Sequence, residues 1–231
     1  MTTSDMPATT RKRTLAGDVY ERLRADILTC RIAPGSKVRI NEICSQLGVN
    51  LGATREALSK LSSEGLVTAE AQKGFRVSPV SRQELLDLTE TRIVIESLCL
   101  ASAIAHGDVR WESQLVASLH HLTRLPERDQ TDPAKLSDEW VFAHGVFHSA
   151  LVNACQSPVK LRIRAALYDQ SERYRRLSVP ARGAASRDIC AEHRAIAEAT
   201  LRRDAPGAKA LMAAHLTKTT EFLLAAPFLE A

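Results

Sequence analysis

The chain has 231 residues, 45% of them hydrophobic, with 31 Lys+Arg against 27 Asp+Glu and a formal net charge of +4. That length accommodates two small domains with apolar residues enough for two cores, and no window approaches the roughly 18 consecutive apolar residues of a membrane span. The first thirty residues contain no apolar signal-type segment, so the expectation is a cytoplasmic protein with no membrane partner.

The charge is unevenly placed. Residues 1–80 carry 12 Lys+Arg against 8 Asp+Glu, whereas residues 81–231 carry 19 against 19. The whole excess sits in the first third, where a polyanion is the expected partner, since phosphate neutralisation dominates non-specific nucleic-acid affinity. Cys30, Cys44, Cys99, Cys155 and Cys190 are odd in number and unclustered. They read as reduced thiols, neither a disulfide framework nor a zinc knuckle.

In chain order, Arg11-Lys12-Arg13 marks residues 1–13 as a flexible basic arm, able to reach phosphates or a groove, or simply disordered. Val19, Leu23, Ile27 and Leu28 stripe a first helix, and Ala33-Pro34-Gly35 is a turn. Ile40, Ile43 and Leu47 stripe a second helix that stops at Gly48. Asn50 is a good N-cap for a third, with Gly65 as its stop. The third helix hides Ala57, Leu58 and Leu61 and presents Arg55, Ser59 and Ser63 on another side. Leu66–Ala69 and Gly74–Ser78 read as a two-stranded wing with a Lys73-Gly74 tip.

Three helices and a wing over residues 14–78 predict a winged helix-turn-helix. A helix held by a partner, with arginine near its N-terminal end, suits a major groove. The candidate DNA contacts are Arg55 first, then Asn50, Gly52 and Ser59 on the same helix, Arg39 near the helix entrance, and Lys73 and Gly74 in the wing. The plain alternative is an ordinary helical hairpin.

Residues 79–81 form the linker. Ser81 and Glu84 then open a new helix as a capping box. From 82 to 226 the chain reads as an all-α bundle of about six or seven helices. Its breaks fall at Gly107-Asp108, Thr131-Asp132-Pro133, Ser157-Pro158, Val179 to Ser186 and Asp204-Ala205-Pro206. The fold class is therefore mainly α.

Polar residues on the apolar stripes of this bundle point to a second function. On a helix around 135–156, Val141, His144, His148, Leu151, Val152 and Cys155 share one face, with the two histidines one turn apart. Ile189, His193, Ile196 and Thr200 make a second stripe, and Leu211, His215, Thr219 and Phe222 a third. A single inward histidine is usually a hydrogen-bonded core residue. Four aimed at one core are costly unless something pairs with them. A divalent transition metal held by His144, His148, His193 and His215 is the economical partner, zinc foremost, with nickel, iron or copper also suited to imidazole. The other three histidines, His106, His120 and His121, read as solvated or structural.

Arg92 lies on a face with Leu85, Leu88, Ile95 and Cys99. A guanidinium cannot shed its charge, so burial requires an anion. Two readings stand: a salt bridge to Glu96 or a neighbouring carboxylate, or a bidentate clamp on a ligand carboxylate. The polar run from Tyr168 to Arg176 offers Tyr168, Gln170 and Tyr174 as further effector contacts, while its arginines read as a solvated or interface face.

In the first third, Tyr20-Glu21-Arg22-Leu23, Ile27-Leu28, Pro34-Gly35, Leu47-Gly48-Val49, Arg55-Glu56-Ala57-Leu58, Leu61, Glu64-Gly65-Leu66-Val67 and Gly74-Phe75-Arg76-Val77 stand together. On these motifs the first third resembles the GntR family of bacterial transcription regulators. The family's Ser-Arg-Thr-Pro type opening of the recognition helix is replaced by Asn50, Leu51, Gly52 and Ala53. That departure bears on which operator is read, not on DNA binding as such. Arg92 with Glu96, Phe147-His148-x-Ala150-Leu151, Glu192-His193-x-x-Ile196, Arg203-Asp204 and His215-Leu216 resemble the FCD effector domain of the FadR branch.

That second resemblance implies a metal held by three histidines, matched by His148, His193 and His215, and an aspartate whose place is taken here by His144. It also implies a small organic acid bound beside the metal. A family Gly-Asn after the helix is replaced by Gln156-Ser157. The two resemblances together imply a ligand-responsive regulator, a repressor by family habit. They also imply a homodimer on double-stranded DNA with a near-palindromic operator. Two rivals remain at this point: a metal-dependent enzyme using the histidine cluster, and a DNA-binding protein without a small-molecule effector.

Overall fold

The computed structural model describes residues 14–133, 135–177 and 187–225. The basic arm at 1–13, the break expected between Val179 and Ser186, and residue 226 lie outside the described residues. The chain divides into two compact units, Met1–Pro79 and Val80–Ala231.

The first unit runs α1 (Leu15–Leu28), β1 (Lys37–Val38), α2 (Ile40–Leu47), α3 (Leu51–Ser63), β2 (Val67–Glu70) and β3 (Gly74–Val77). Thr14 caps α1 by accepting from the Gly17 N–H at 3.1 Å. Asn50 caps α3 by accepting from the Ala53 N–H at 2.8 Å, an interaction worth about 1 kcal/mol at a helix start. Between α2 and α3 the chain turns through Gly48 at φ 63, a left-handed conformation that costs a residue with a Cβ far more than glycine.

The core of this unit gathers Val19, Leu23 and Ile27 of α1, Leu58 and Leu61 of α3, and Leu66 and Val77 near the sheet. The stripe expected on α2 is shallower than its sequence suggested. Ile40 and Ile43 are half-buried against the core, and Leu47 is exposed. An eight-residue helix touches the core along one edge and leaves its last turn in solvent.

The wing has three strands where two were expected, in the order β1-β3-β2, all antiparallel. Val38 pairs with Phe75, and Val67 with Val77. A two-residue strand is too short to announce itself by alternation. It is secured by neighbours: the Gly35 N–H donates to the Val77 carbonyl at 3.0 Å, and Arg76 donates to the Gly35 carbonyl at 2.5 Å and to Glu70 at 2.8 Å. Arg76 thus holds the Pro34-Gly35 turn against the wing.

The second unit contains α4 (Arg82–His106), α5 (Val109–Thr123), α6 (Asp138–Ala150), α7 (Pro158–Leu177), α8 (Ile189–Leu201) and α9 (Ala205–Leu224). Ser81, Asp108, Ser137, Asp188 and Asp204 each cap the helix that follows. The Ser81–Glu84 box is half-formed. Ser81 Oγ accepts from the Glu84 N–H at 3.1 Å, but the Glu84 carboxylate accepts from the Tyr174 hydroxyl at 2.7 Å. The helix expected over 135–156 ends at Ala150, and the chain tightens into turns through Ala154.

Arg203 and Asp204 do structural work. Arg203 sits at φ 59 and donates to the carbonyls of Ile104 at 2.6 Å and Gly107 at 2.9 Å, closing the end of α4, while Asp204 caps α9. The main core of the unit includes Leu100, Trp111, Leu115, Phe147, Leu151, Ile196 and Met212. No helix among the described residues is long and apolar enough to cross a membrane.

Candidate functional site

Three helices deliver the four inward histidines: α6 brings His144 and His148, α8 brings His193 and α9 brings His215. One ring nitrogen from each lies within 4.8 Å of the others. His144 and His148 meet through their Nε2 atoms at 3.1 Å, and the His193 and His215 ring centres are 4.8 Å apart. All four are buried, whereas His106, His120 and His121 are exposed. The α9 stripe differs in detail from its expected course: Met212, Leu216, Thr220 and Leu223 face inward with His215, while Leu211 is exposed.

Burial lowers all four imidazole pKa values. For His144 the Arg175 charge adds to burial, for His148 its neighbour His144, and for His193 its neighbour His215. His215 is also lowered by burial, against the opposing effect of its hydrogen bond to the Glu192 carboxylate. The neutral imidazole so favoured is the form that ligates metal.

A divalent metal fits this donor set on a specific observation. Both ring nitrogens of His193 and Nδ1 of His148 are buried without a hydrogen-bond partner. Each such group costs about 1–3 kcal/mol unless something fills it. His215 directs Nδ1 to Glu192 at 2.8 Å, and Glu192 is held in turn by Arg187 at 2.5 and 2.9 Å. A carboxylate behind an imidazole fixes its tautomer and aims the other nitrogen. The same contacts push the Glu192 carboxyl well below the usual range, against the opposing effect of its burial.

Arg92 is 6% exposed, and both sequence readings of it meet here. Its NH2 lies 3.6 Å from Glu96 Oε1, while Arg164 takes the other oxygen, Oε2, at 2.8 Å. Arg92 Nε and NH2 make no hydrogen bond. Tyr168 bridges this region to the histidines: its hydroxyl is 3.0 Å from His144 Nδ1, and Arg92, Arg164 and Arg175 lie 5.6, 5.6 and 4.8 Å from its ring centre. The same tyrosine lines an open groove of about 820 Å³ with Val141, Phe142 and Val146. Gly145 makes room for it, since a Cβ there would lie 3.3 Å from the hydroxyl.

The other residues of α7 are disposed differently from expectation. Tyr174 is packed with Leu85, Leu88 and Leu223 and hydrogen-bonded to Glu84, so it anchors the start of α4 and does not face the histidines. Gln170 is half-buried, and two residues along a helix turn it away from the Tyr168 face. Two of the arginines expected on a solvated or interface face are inside: Arg173 and Arg175 are buried, and Arg175 pairs with Glu172 and reaches the His144 ring at 3.2 Å. Arg164, one turn before Tyr168, is a further buried arginine that no apolar stripe marks in the sequence. The recurrence Arg164, Tyr168, Glu172, Arg175 was a helical face written in polar letters.

In the first unit, Arg55 and Ser59 are exposed on α3, opposite the buried Ala57, Leu58 and Leu61. Asn50 spends its side chain on the cap, and a Cβ at Gly52 would lie 3.3 Å from that side chain. Lys73 and Gly74 are exposed at the wing tip, where Gly74 has φ 94 and Gln72 also turns left-handed at φ 60. Arg39 is exposed and paired with Glu42 at 2.9 Å. The structure therefore presents Arg55, Ser59, Lys73 and Arg39 to solvent.

Comparison with known proteins agrees with both halves. Residues 15–77 match the family described as bacterial regulatory proteins, gntR family, and residues 87–218 match the FCD domain. The chain is 40% identical over 204 residues to the HTH-type transcriptional regulator BphR of Paraburkholderia xenovorans, covering 88% of this chain and 83% of that protein. It is 36% identical over 203 residues to the HTH-type transcriptional repressor GlaR of Escherichia coli, covering 86% and 91%.

Among solved structures, E. coli McbR/YncC superposes with a TM-score of 0.72 at 17% identity, over 91% of this chain and 97% of that one. A GntR regulator from Rhodococcus superposes at 0.71 and 20% identity, over 90% and 97%; both establish likeness of fold. The matched family and the relatives BphR and GlaR are transcription regulators, which removes the metal-dependent enzyme reading. With a winged helix-turn-helix followed by an FCD domain, the chain belongs to the GntR family of bacterial DNA-binding transcription regulators.

Proposed function

We propose that this regulator senses a small organic carboxylate at a metal centre formed by His144, His148, His193 and His215. The observation that carries the reading is the set of converging buried imidazoles with unpartnered nitrogens, beside an arginine whose carboxylate is already shared. When bound, a divalent transition metal, zinc foremost with nickel, iron or copper as alternatives, supplies a Lewis-acidic centre for a carboxylate oxygen. Glu192 orients His215, Tyr168 positions His144, and Arg92 offers its fork to the ligand. Gln170 and Tyr174 are not part of this proposal.

The DNA-binding role is carried by Arg55, assisted by Ser59, Arg39 and the Lys73-Gly74 wing tip, with Asn50 and Gly52 shaping the start of α3. We propose a homodimer whose two recognition helices enter half-sites about one helical turn apart, hence a near-palindromic operator. Repression is the favoured sign, as in the relative named a repressor. The carboxylate alters operator affinity to the extent that it binds the DNA-bound and free arrangements unequally.

The test is thermal stability of the purified protein against a panel of carboxylates, before and after chelation. A ligand at about 100 times its Kd adds roughly 2.7 kcal/mol to folding stability. A hit abolished by chelation and restored by added zinc is the expected result. No hit, with stability indifferent to chelation, would reduce the protein to a DNA binder with four core histidines.

A further inference from the structure

The first turn of α3 carries no charge: Leu51, Gly52, Ala53 and Thr54 all precede Arg55. Its polar side chains are already committed. Asn50 accepts from the Ala53 N–H at 2.8 Å, and the buried Thr54 donates its hydroxyl to the Asn50 carbonyl at 3.2 Å. What this turn leaves in solvent is the side chain of Leu51, 46% exposed, and the bare backbone of Gly52. Gly52 adds no side chain that would hold an approaching surface away from its neighbour.

An exposed leucine is ordinary on most of a protein surface. Position makes this one different. Leu51 opens the helix whose N-terminal residues meet base edges in a helix-turn-helix, and it stands one turn before Arg55 on the same side. In the major groove the base edges present hydrogen-bond donors and acceptors, which a leucine cannot answer. One feature of those edges is apolar, the C5-methyl group of thymine. Pressing an alkyl chain onto a ring nitrogen, a carbonyl oxygen or an exocyclic amine strips water and returns no hydrogen bond. Pressing it onto the methyl group removes apolar surface from water on both sides. One helical turn advances about 5.4 Å and one base step about 3.4 Å, so Leu51 and Arg55 reach bases about one or two steps apart. Resting on the reading of α3 as the recognition helix with Arg55 as its main contact, we propose that Leu51 determines specificity by reading the C5-methyl group of a thymine in each half-site, within about two base steps of the base that Arg55 meets.

Operators are first selected with the full-length protein from a randomised double-stranded DNA library. Each thymine of the selected site is then replaced in turn by deoxyuridine, which removes the methyl group and keeps every hydrogen-bonding group. The duplexes are titrated with the wild type and with Leu51→Ala. For the wild type, uracil at one position of a half-site is expected to weaken binding about fourfold, the weight of one buried methyl-sized group. Leu51→Ala should bind the thymine operator about as weakly as the wild type binds the uracil one, and should not distinguish the two. The uracil scan of the wild type requires no variant to fold.

A wild-type scan without a methyl-sensitive thymine overturns the assignment, and so does an equal methyl response in Leu51→Ala. Arg55→Ala, titrated alongside, separates this from the wider reading. If it loses operator affinity while Leu51→Ala keeps the full methyl response, α3 still reads DNA and another residue meets the thymine. If neither variant changes the titration, α3 is not the recognition helix and both readings fall.

Discussion

The two units bury different things. In the winged unit, the buried polar side chains among the described residues are Thr54 and Ser78, and every other buried side chain is hydrophobic. The helical unit buries Arg92, Glu96, His144, His148, Arg164, Glu172, Arg173, Arg175, His193 and His215. On the proposed function, the contrast follows from the size of what each unit would recognise. A DNA duplex is read by residues carried on the outside of a helix, so the interior beneath is free to be ordinary core. A small ligand is engulfed, so its recognition groups must be inside, where each needs a partner. On that reading, one interior serves stability and the other gives some stability away for a site.

The largest effect that sharpens this contrast is expected from His148→Ala. The variant should lose more than about a hundredfold in metal affinity, beyond the 10–100-fold range typical of residues that merely support a ligand, while operator binding without effector is unchanged. Metal analysis and an operator titration of the same sample check both halves. Retention of stoichiometric metal would make His148 core filler.

Next in size is Leu58→Ala in the winged core. Leu58 is fully buried beside Leu61, so its truncation should destabilise that unit by about 2–5 kcal/mol. Denaturant unfolding reads the loss, and a change below about 1 kcal/mol would mean that the core there collapses around the gap.

Arg55→Ala should cost about 1–3 kcal/mol of specific operator affinity, with no change in metal content or folding. An unaltered operator titration would move the base contacts elsewhere on α3 or to the wing.

The smallest effect is in pH. In the folded, metal-free protein all four buried histidines have lowered pKa values, chiefly through burial. The unfolded chain takes up protons at its ordinary histidine pKa of about 6.5, and the folded chain does not. Stability of the chelated protein should therefore be level above about pH 6.5 and fall as pH drops below it. Thermal melts at pH 7.5 and 5.5 test the sign. Greater stability at the lower pH would mean that the histidines gain anionic partners on folding.

Much of the fold could be read directly because it is written locally. The caps at Asn50, Ser81 and Asp204 and the stripes of α1, α3 and α8 depend on residues within one or two turns of each other. The histidines stood out because imidazole on an apolar stripe breaks its own pattern. By contrast, Tyr174 and Tyr168 lie six residues apart in one polar run, and nothing local separates them. One anchors α4 through Glu84 and the other meets His144.

The sequence by itself determined the winged helix-turn-helix, the all-α second unit and the four inward histidines, since each follows from periodicity and short-range capping chemistry. The third wing strand, the division of Glu96 between two arginines, the burial of Arg164 and Arg175, and the Glu192 support behind His215 were decided by tertiary structure. Those pairings join residues up to 68 positions apart. No spacing rule reaches that far, and which carboxylate answers which guanidinium is settled when the helices pack.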